Sequence, residues 1–194
     1  MGLELKSDIS LNGSVWSNVI DKYVKTFFGT QWGVFKLSLA IGILYDKQID
    51  DSTIAKGSED KGHSIPRNMF IRNAKEMEFF FETAILTSSC IELDEKDRLY
   101  LAFSDDITAE EMDDEDIDEI YNGVSKEAIT FDRFKFLKQF ANYGATKLEE
   151  CISKNLDETM ENLMSFLNSS YLGETPELIE LQKVDDIIED DELE

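Results

Sequence analysis

This chain of 194 residues is poor in the residues on which small catalytic or cross-linked scaffolds depend: it has one His, two Cys, two Pro and ten Gly. A single His removes every His-rich metal site, and two cysteines, Cys90 and Cys151, cannot make a disulfide framework. No apolar run approaches the roughly 18 residues that span a bilayer, and the opening MGLELKSDIS has neither the basic nor the apolar region of a signal peptide. Lys6 stands where a myristoylated chain carries Ser or Thr. Positive charge is scarce as well: 19 Lys+Arg face 42 Asp+Glu, for a formal net charge of −23. Affinity for a duplex rests mainly on Lys and Arg at phosphates, which argues against general nucleic-acid binding by the whole surface. What is present is a 42% hydrophobic composition with thirteen Phe. That takes the chain out of the disordered class and suits one domain with an ordinary core, expected to be cytoplasmic and not membrane-bound.

The negative charge is concentrated. Residues 92–119 hold fourteen acids and two bases, a net of −12, and residues 174–194 hold ten acids and one Lys, a net of −9. The plain reading of both blocks is a solvated loop and a solvated tail. The sharper reading is an acidic contact surface for a basic partner. Asp113, Asp114, Glu115 and Asp116 would act in the first block, Asp190 and Asp191 in the second.

The hydrophobic pattern is helical. Trp16, Val19, Ile20, Tyr23, Val24 and Phe27 recur at helical spacing over 14–28, and Gly29-Thr30 ends that run. Gln31 to Lys47 is apolar almost all round, as expected of a central buried helix. Residues 48–66 lose periodicity and read as a surface loop ending at Pro66. Further helices are expected over 67–88, 94–104, 131–153 and 156–170, the last capped by Asn155, with Leu156, Met160, Leu163 and Leu167 inward. Residues 98–103 are the one stretch that could also be a strand. Gly144 lies on the apolar stripe of its helix, which suggests close approach of another backbone. The acidic connection 105–130 has room for a short helix at 109–121. Without alternating β-branched runs joined by Asn-Gly or Asp-Gly, hairpins are not signalled. The expectation is an all-α bundle of five to seven helices over 1–173, with an acidic insertion and an acidic, partly disordered tail at 174–194.

Motifs for chemistry fail on inspection. GSEDKGHS (57–64) nearly spells a phosphate-binding loop, but His63 replaces its Lys and no hydrophobic strand precedes it. Asp113–Glu119 offers no register with EF-hand ligands and the required Gly. Cys90 and His63 could form a nucleophile and base only within hydrogen-bond reach and with a third orienting group; both cysteines read instead as buried structural thiols. No catalytic residue, cofactor or metal is therefore assigned. The positive exception is the segment 47–75. There Lys56, Lys61, His63, Arg67 and Arg72 flank a Pro-to-helix entry whose free backbone N–H groups suit an anion or an acidic partner face.

The order of features from Phe35 to Ile152 resembles a known pattern. FKLSLAIGILYDKQ leads to a polar basic loop ending IPRNMF, followed by DEKDRLYLAF and a late helix with FANYGATKLEECI. This is similar to small accessory proteins encoded beside bacterial DNA phosphorothioation (Dnd-type) modification and restriction systems. The resemblance covers about 120 residues; the insertion at 105–130 and the tail after 173 depart from it. It implies a bacterial antiphage component working through larger partners, such as a DNA-binding ATPase or nuclease, and it transfers no catalytic residue. The reading is a non-enzymatic accessory subunit of a multi-protein assembly. The alternative is an acidic DNA mimic that inhibits a DNA-binding enzyme.

Overall fold

The computed structural model describes residues 7–54, 62–103 and 124–171, with side chains to 169. The chain divides into two units, Met1–Lys147 and Leu148–Glu194. The fold is mostly helical: the described residues hold nine α-helices, six of them nine residues or longer, and one two-stranded sheet. No single helix among them is long and apolar enough to cross a membrane. The tail 174–194 lies outside the described residues, as do Lys56, Lys61, the expected helix at 109–121 and the acidic candidates Asp113, Asp114, Glu115, Asp116, Asp190 and Asp191.

In the first unit, α1 (Ser14–Tyr23) buries Trp16, Val19, Ile20 and Tyr23 along one face. The expected helix to residue 28 continues as a π-helical turn, Val24–Phe28, closed by the Gly29 amide donating to the Val24 carbonyl at 2.9 Å. Gly29 stops it at φ +65, where side chains are strained. Thr30 then caps α2 (Gln31–Leu44), its hydroxyl accepting from the Gly33 amide at 3.2 Å. α2 is the central helix, with Trp32, Val34, Phe35, Ser38, Leu39, Ile41 and Gly42 all buried. Phe35 stacks between Trp16 (6.2 Å between ring centroids) and Trp32 (5.8 Å). Such rings add offset-stacking attraction to the area they bury.

The stretch 48–66 is more than a loop. It holds α3 (Asp51–Ile54) and a strand, β2 (His63–Ile65), which pairs antiparallel with β1 (Ile9–Leu11). Ile9 faces Ile65 and Leu11 faces His63, and the two strands place Ile9, Leu11 and Ile65 in the core. Strands of three residues are too short for alternation to register, and no tight turn joins them, so neither hairpin signal is present.

The expected helix 67–88 breaks at Asn73 into α4 (Arg67–Arg72) and α5 (Ala74–Thr87). The Asn73 amide donates back to the Met69 carbonyl at 2.6 Å, a local side-chain bond that competes with the helical ladder. Residues 98–103 are helical, within α6 (Glu95–Phe103), whose first turn is capped by the Asp94 carboxylate accepting from the Asp97 amide at 2.8 Å. Ser125 caps the short α7 (Lys126–Ile129). The long α8 (Arg133–Glu150) crosses α2 at two glycines: a Cβ on Gly42 would meet the Phe140 backbone, and one on Gly144 the Ser38 backbone.

Asn142 of α8 is the buried polar hub of this unit. Its carbonyl oxygen accepts from the Trp16 indole at 2.9 Å, and its amide donates to the Ile49 carbonyl at 3.0 Å and to Asp51 at 2.7 Å. Lys138 then pairs with the other Asp51 oxygen at 2.6 Å. Every polar atom of the Asn142 side chain has a partner, which is what burial requires.

In the second unit, Asn155 does cap α9 (Leu156–Tyr171), accepting from the Glu158 amide at 2.7 Å. The Thr159 hydroxyl accepts from the Ser153 amide at 3.0 Å and donates to the Asn155 carbonyl at 2.8 Å. Of the side chains expected inward, Leu163 is buried, whereas Leu156 and Met160 are exposed, as is Met164.

Candidate functional site

The basic segment is not assembled into one anion site by its described members. His63 is half-buried, with its ring 3.4 Å from the Gln31 amide. The amide of Arg67, the Pro-to-helix entry expected to be free, already donates to the Asp8 carboxylate at 2.9 Å. Arg67 and Arg72 are both exposed, but five residues apart on α4 they point in different directions around the helix. The protein's own Asp8 thus holds the place expected for an external anion.

A cleft of about 440 Å³ lies elsewhere, at the start of α8, lined among others by Gln48, Cys90, Glu127, Phe131, Lys135 and Gln139. Cys90 of that lining also belongs to a polar node. Asp46, at φ +48 just beyond α2, accepts from the Ser88 hydroxyl (2.5 Å), the Ser89 hydroxyl (2.5 Å) and the Ser89 amide (2.7 Å). Burial raises the Asp46 pKa, but the bonds from Ser88 and Ser89 outweigh it and hold the carboxyl below its ordinary value. Cys90 is exposed, correcting its reading as a buried thiol, whereas Cys151 is buried as expected. The Cys90 sulfur donates to the Asp46 carbonyl at 3.1 Å, and burial together with the nearby Asp46 charge pushes its thiol pKa up despite the Ser88 bond. A thiol held protonated is a poor nucleophile.

Arg98 holds the connection that carries Cys90 and Ile91. Its guanidinium donates to the carbonyls of Ile85 (2.7 Å), Ser88 (2.9 Å), Ile91 (2.7 Å) and Leu93 (3.1 Å), stitching the connection between α5 and α6. Its neighbour Asp97, 4% exposed, accepts from the Ser125 amide at 2.8 Å and ties the same helix to the entry of α7. Arg98 is spent on architecture.

The outer faces of α5 and α6 are apolar. Met77, Phe81, Ala84 and Ile85 take α5 into the core, which turns Phe79 (64% exposed) and Leu86 (39%) to the opposite side. On α6, Leu99 (45%) and Phe103 (65%) stand one turn apart along the solvent side. Single exposed apolar residues need no explanation, but aligned pairs on two neighbouring helices do. The sequence signal was there in Phe79-Phe80-Phe81: three consecutive aromatic residues on a helix cannot all face inward.

Among the described residues, no group of three or more His, Cys, Asp or Glu is placed to hold a metal. No protein family, curated protein or solved structure matches this chain.

Proposed function

We propose that this protein is a non-enzymatic interaction subunit of a multi-protein bacterial assembly in DNA-related antiphage defence. The observation that carries the interaction role is the exposure of large apolar side chains on both helices, Phe79 and Leu86 on α5 and Leu99 and Phe103 on α6. Glu78, Glu82 and Glu95 lie on the same two helices, and Leu99 and Phe103 fall inside the net −12 stretch. An apolar strip within negative charge fits a larger protein that presents an apolar groove with a basic rim. The defence setting rests on the resemblance of the motif order to Dnd-type accessory proteins, and a DNA-binding ATPase or nuclease is the partner class it implies.

The test is isothermal titration of the full chain and its Phe79→Ser/Phe103→Ser variant against a purified ATPase or nuclease of such a system, at low and high salt. Circular dichroism first establishes that the variant is folded. The expected result is salt-sensitive binding that weakens at least tenfold in the variant. Equal affinity of the two chains would overturn the role of this face, and no affinity for either enzyme would overturn the defence setting. Displacement by duplex DNA would favour the DNA-mimic alternative.

A further inference from the structure

The second unit exposes an apolar row of its own, on α9. Two contacts within the unit set the rotation of that helix. The Ser153 amide donates to the hydroxyl of the buried Thr159 at 3.0 Å, and the Asn162 side-chain amide donates to the Cys151 carbonyl at 3.3 Å. Thr159 and Leu163 take the covered side, with Phe166 and Leu167 half-buried. Leu156, Met160 and Met164 are left 48%, 40% and 50% exposed. Residues spaced by four stack along one helix face, so these three make a continuous row about 12 Å long. Scattered apolar side chains at a surface are ordinary, but three in register over two turns are not.

The charge beside the row has one sign. Asp157 follows Leu156 around the helix and Glu161 follows Met160, both exposed, so an acidic row runs alongside the apolar one. No Lys, Arg or His occurs from Asn155 to Tyr171, and the nearest base in sequence, Lys154, precedes the cap. That sign selects the occupant. A second copy of the chain would set two acidic rows side by side, and the segment 174–194 would bring a net of −9. Both meet like charge at short range, as would an anionic lipid surface, whereas a cationic partner meets its complement. Two of the three apolar residues are Met, whose unbranched side chains repack readily around a partner. Anchors at i, i+4 and i+8 match the apolar stripe of an amphipathic helix laid alongside.

We infer that the row of Leu156, Met160 and Met164 is a docking face for a basic amphipathic helix of a partner protein, whose Lys or Arg side chains pair with Asp157 and Glu161. The inference is carried by α9 alone and does not rest on the exposed residues of α5 and α6.

The experiment follows the methionine methyl resonances of the ¹³C-methyl-Met-labelled full chain during titration with a synthetic Leu/Lys amphipathic peptide of about 14 residues, long enough for nearly four helical turns. A peptide of the same composition in scrambled order keeps the charge and removes the stripe. The expected result is a saturable shift of the Met160 and Met164 methyls with a midpoint at or below about 100 μM, while the fully buried Met77 stays in place. The scrambled peptide is expected to bind about tenfold more weakly or worse, as is the ordered peptide to Met160→Ser/Met164→Ser. The Phe79→Ser/Phe103→Ser chain is expected to bind the ordered peptide as the unaltered chain does. The methyl titration of the unaltered chain decides the matter even if a variant does not fold. Met160 and Met164 unmoved at saturating peptide, or equal midpoints for the two peptides, would overturn the inference. A shift of these methyls on dilution of the chain alone would give the row to a second copy, and a shift on removal of residues 174–194 would give it to the chain's own end; either result also overturns it.

Discussion

The space that a side chain on Gly144 would need is occupied by the backbone of Ser38: an ideal Cβ there would fall on the Ser38 carbonyl and lie 2.8 Å from its Cα. Gly42 stands in the same relation to Phe140, at 2.9 Å from that Cα. Two helices have exchanged side-chain volume for contact between their backbones. Gly144→Ala should therefore destabilise the protein despite the roughly 1 kcal/mol of helix propensity that alanine gains. Gly144→Leu should cost about 3 kcal/mol or more, or abolish soluble expression. Thermal melts by circular dichroism check both, and an unchanged melting temperature for Gly144→Leu would refute the crossing.

Replacing Asn142 by Leu should leave the Trp16 indole N–H and the Ile49 carbonyl without their partner. Each buried orphan costs about 1–3 kcal/mol. The expected outcome is a lowered melting temperature and faster solvent exchange of the Trp16 indole proton, read by NMR.

Asp46 gives a pH prediction. Its folded-state pKa lies below the ordinary carboxylate value. Its contribution to stability is therefore complete above about pH 4 and is lost as pH falls through the folded value. Asp46→Asn keeps a residue tolerant of the positive φ while removing the titration. Melting temperatures of the two proteins, measured from pH 6 to pH 2.5, should converge at the acid end. Curves that stay parallel would show that the Ser88 and Ser89 bonds give no differential stabilisation of the charged form.

Arg98 should not be replaceable. Arg98→Met strands the carbonyls of Ile85, Ser88, Ile91 and Leu93, and Arg98→Lys can reach only some of them with one ammonium. Hydrogen–deuterium exchange over 88–94 should rise in both variants, more in Met than in Lys, while α8 stays protected.

Removal of residues 174–194 should leave the melting temperature almost unchanged and weaken partner binding in a salt-dependent way. The segment carries net −9 and few apolar anchors, too few to repay its ordering on the chain itself. Full-length and truncated chains compared by melting and by titration against the partner give the answer; a large drop in melting temperature would place the segment in the fold.

The features legible in the sequence are those that local periodicity and chain stereochemistry control. Helical spacing marked the longer helices, the all-round apolar run of α2 marked the central one, a glycine on the α8 stripe announced a close backbone contact, and Asn155 declared a helix start. Each of these depends on residues within a turn or two of one another. What the tertiary structure alone decided depends on partners far along the chain. β1 and β2 pair across more than fifty residues with three residues each, too few to leave a pattern. Cys90 lies at the surface because the Asp46 node draws its loop there, and Phe79 faces out because Phe81 and Ile85 claim the core side of α5. Nor does anything local distinguish Arg98 from Arg133. One folds against a ring of carbonyls and is consumed by them; the other lies over the Phe81 ring, its Nη1 without a hydrogen-bond partner among the described residues. A charged side chain's role is set by what the fold brings within about 4 Å of it, and that distance is written by packing, not by spacing along the chain.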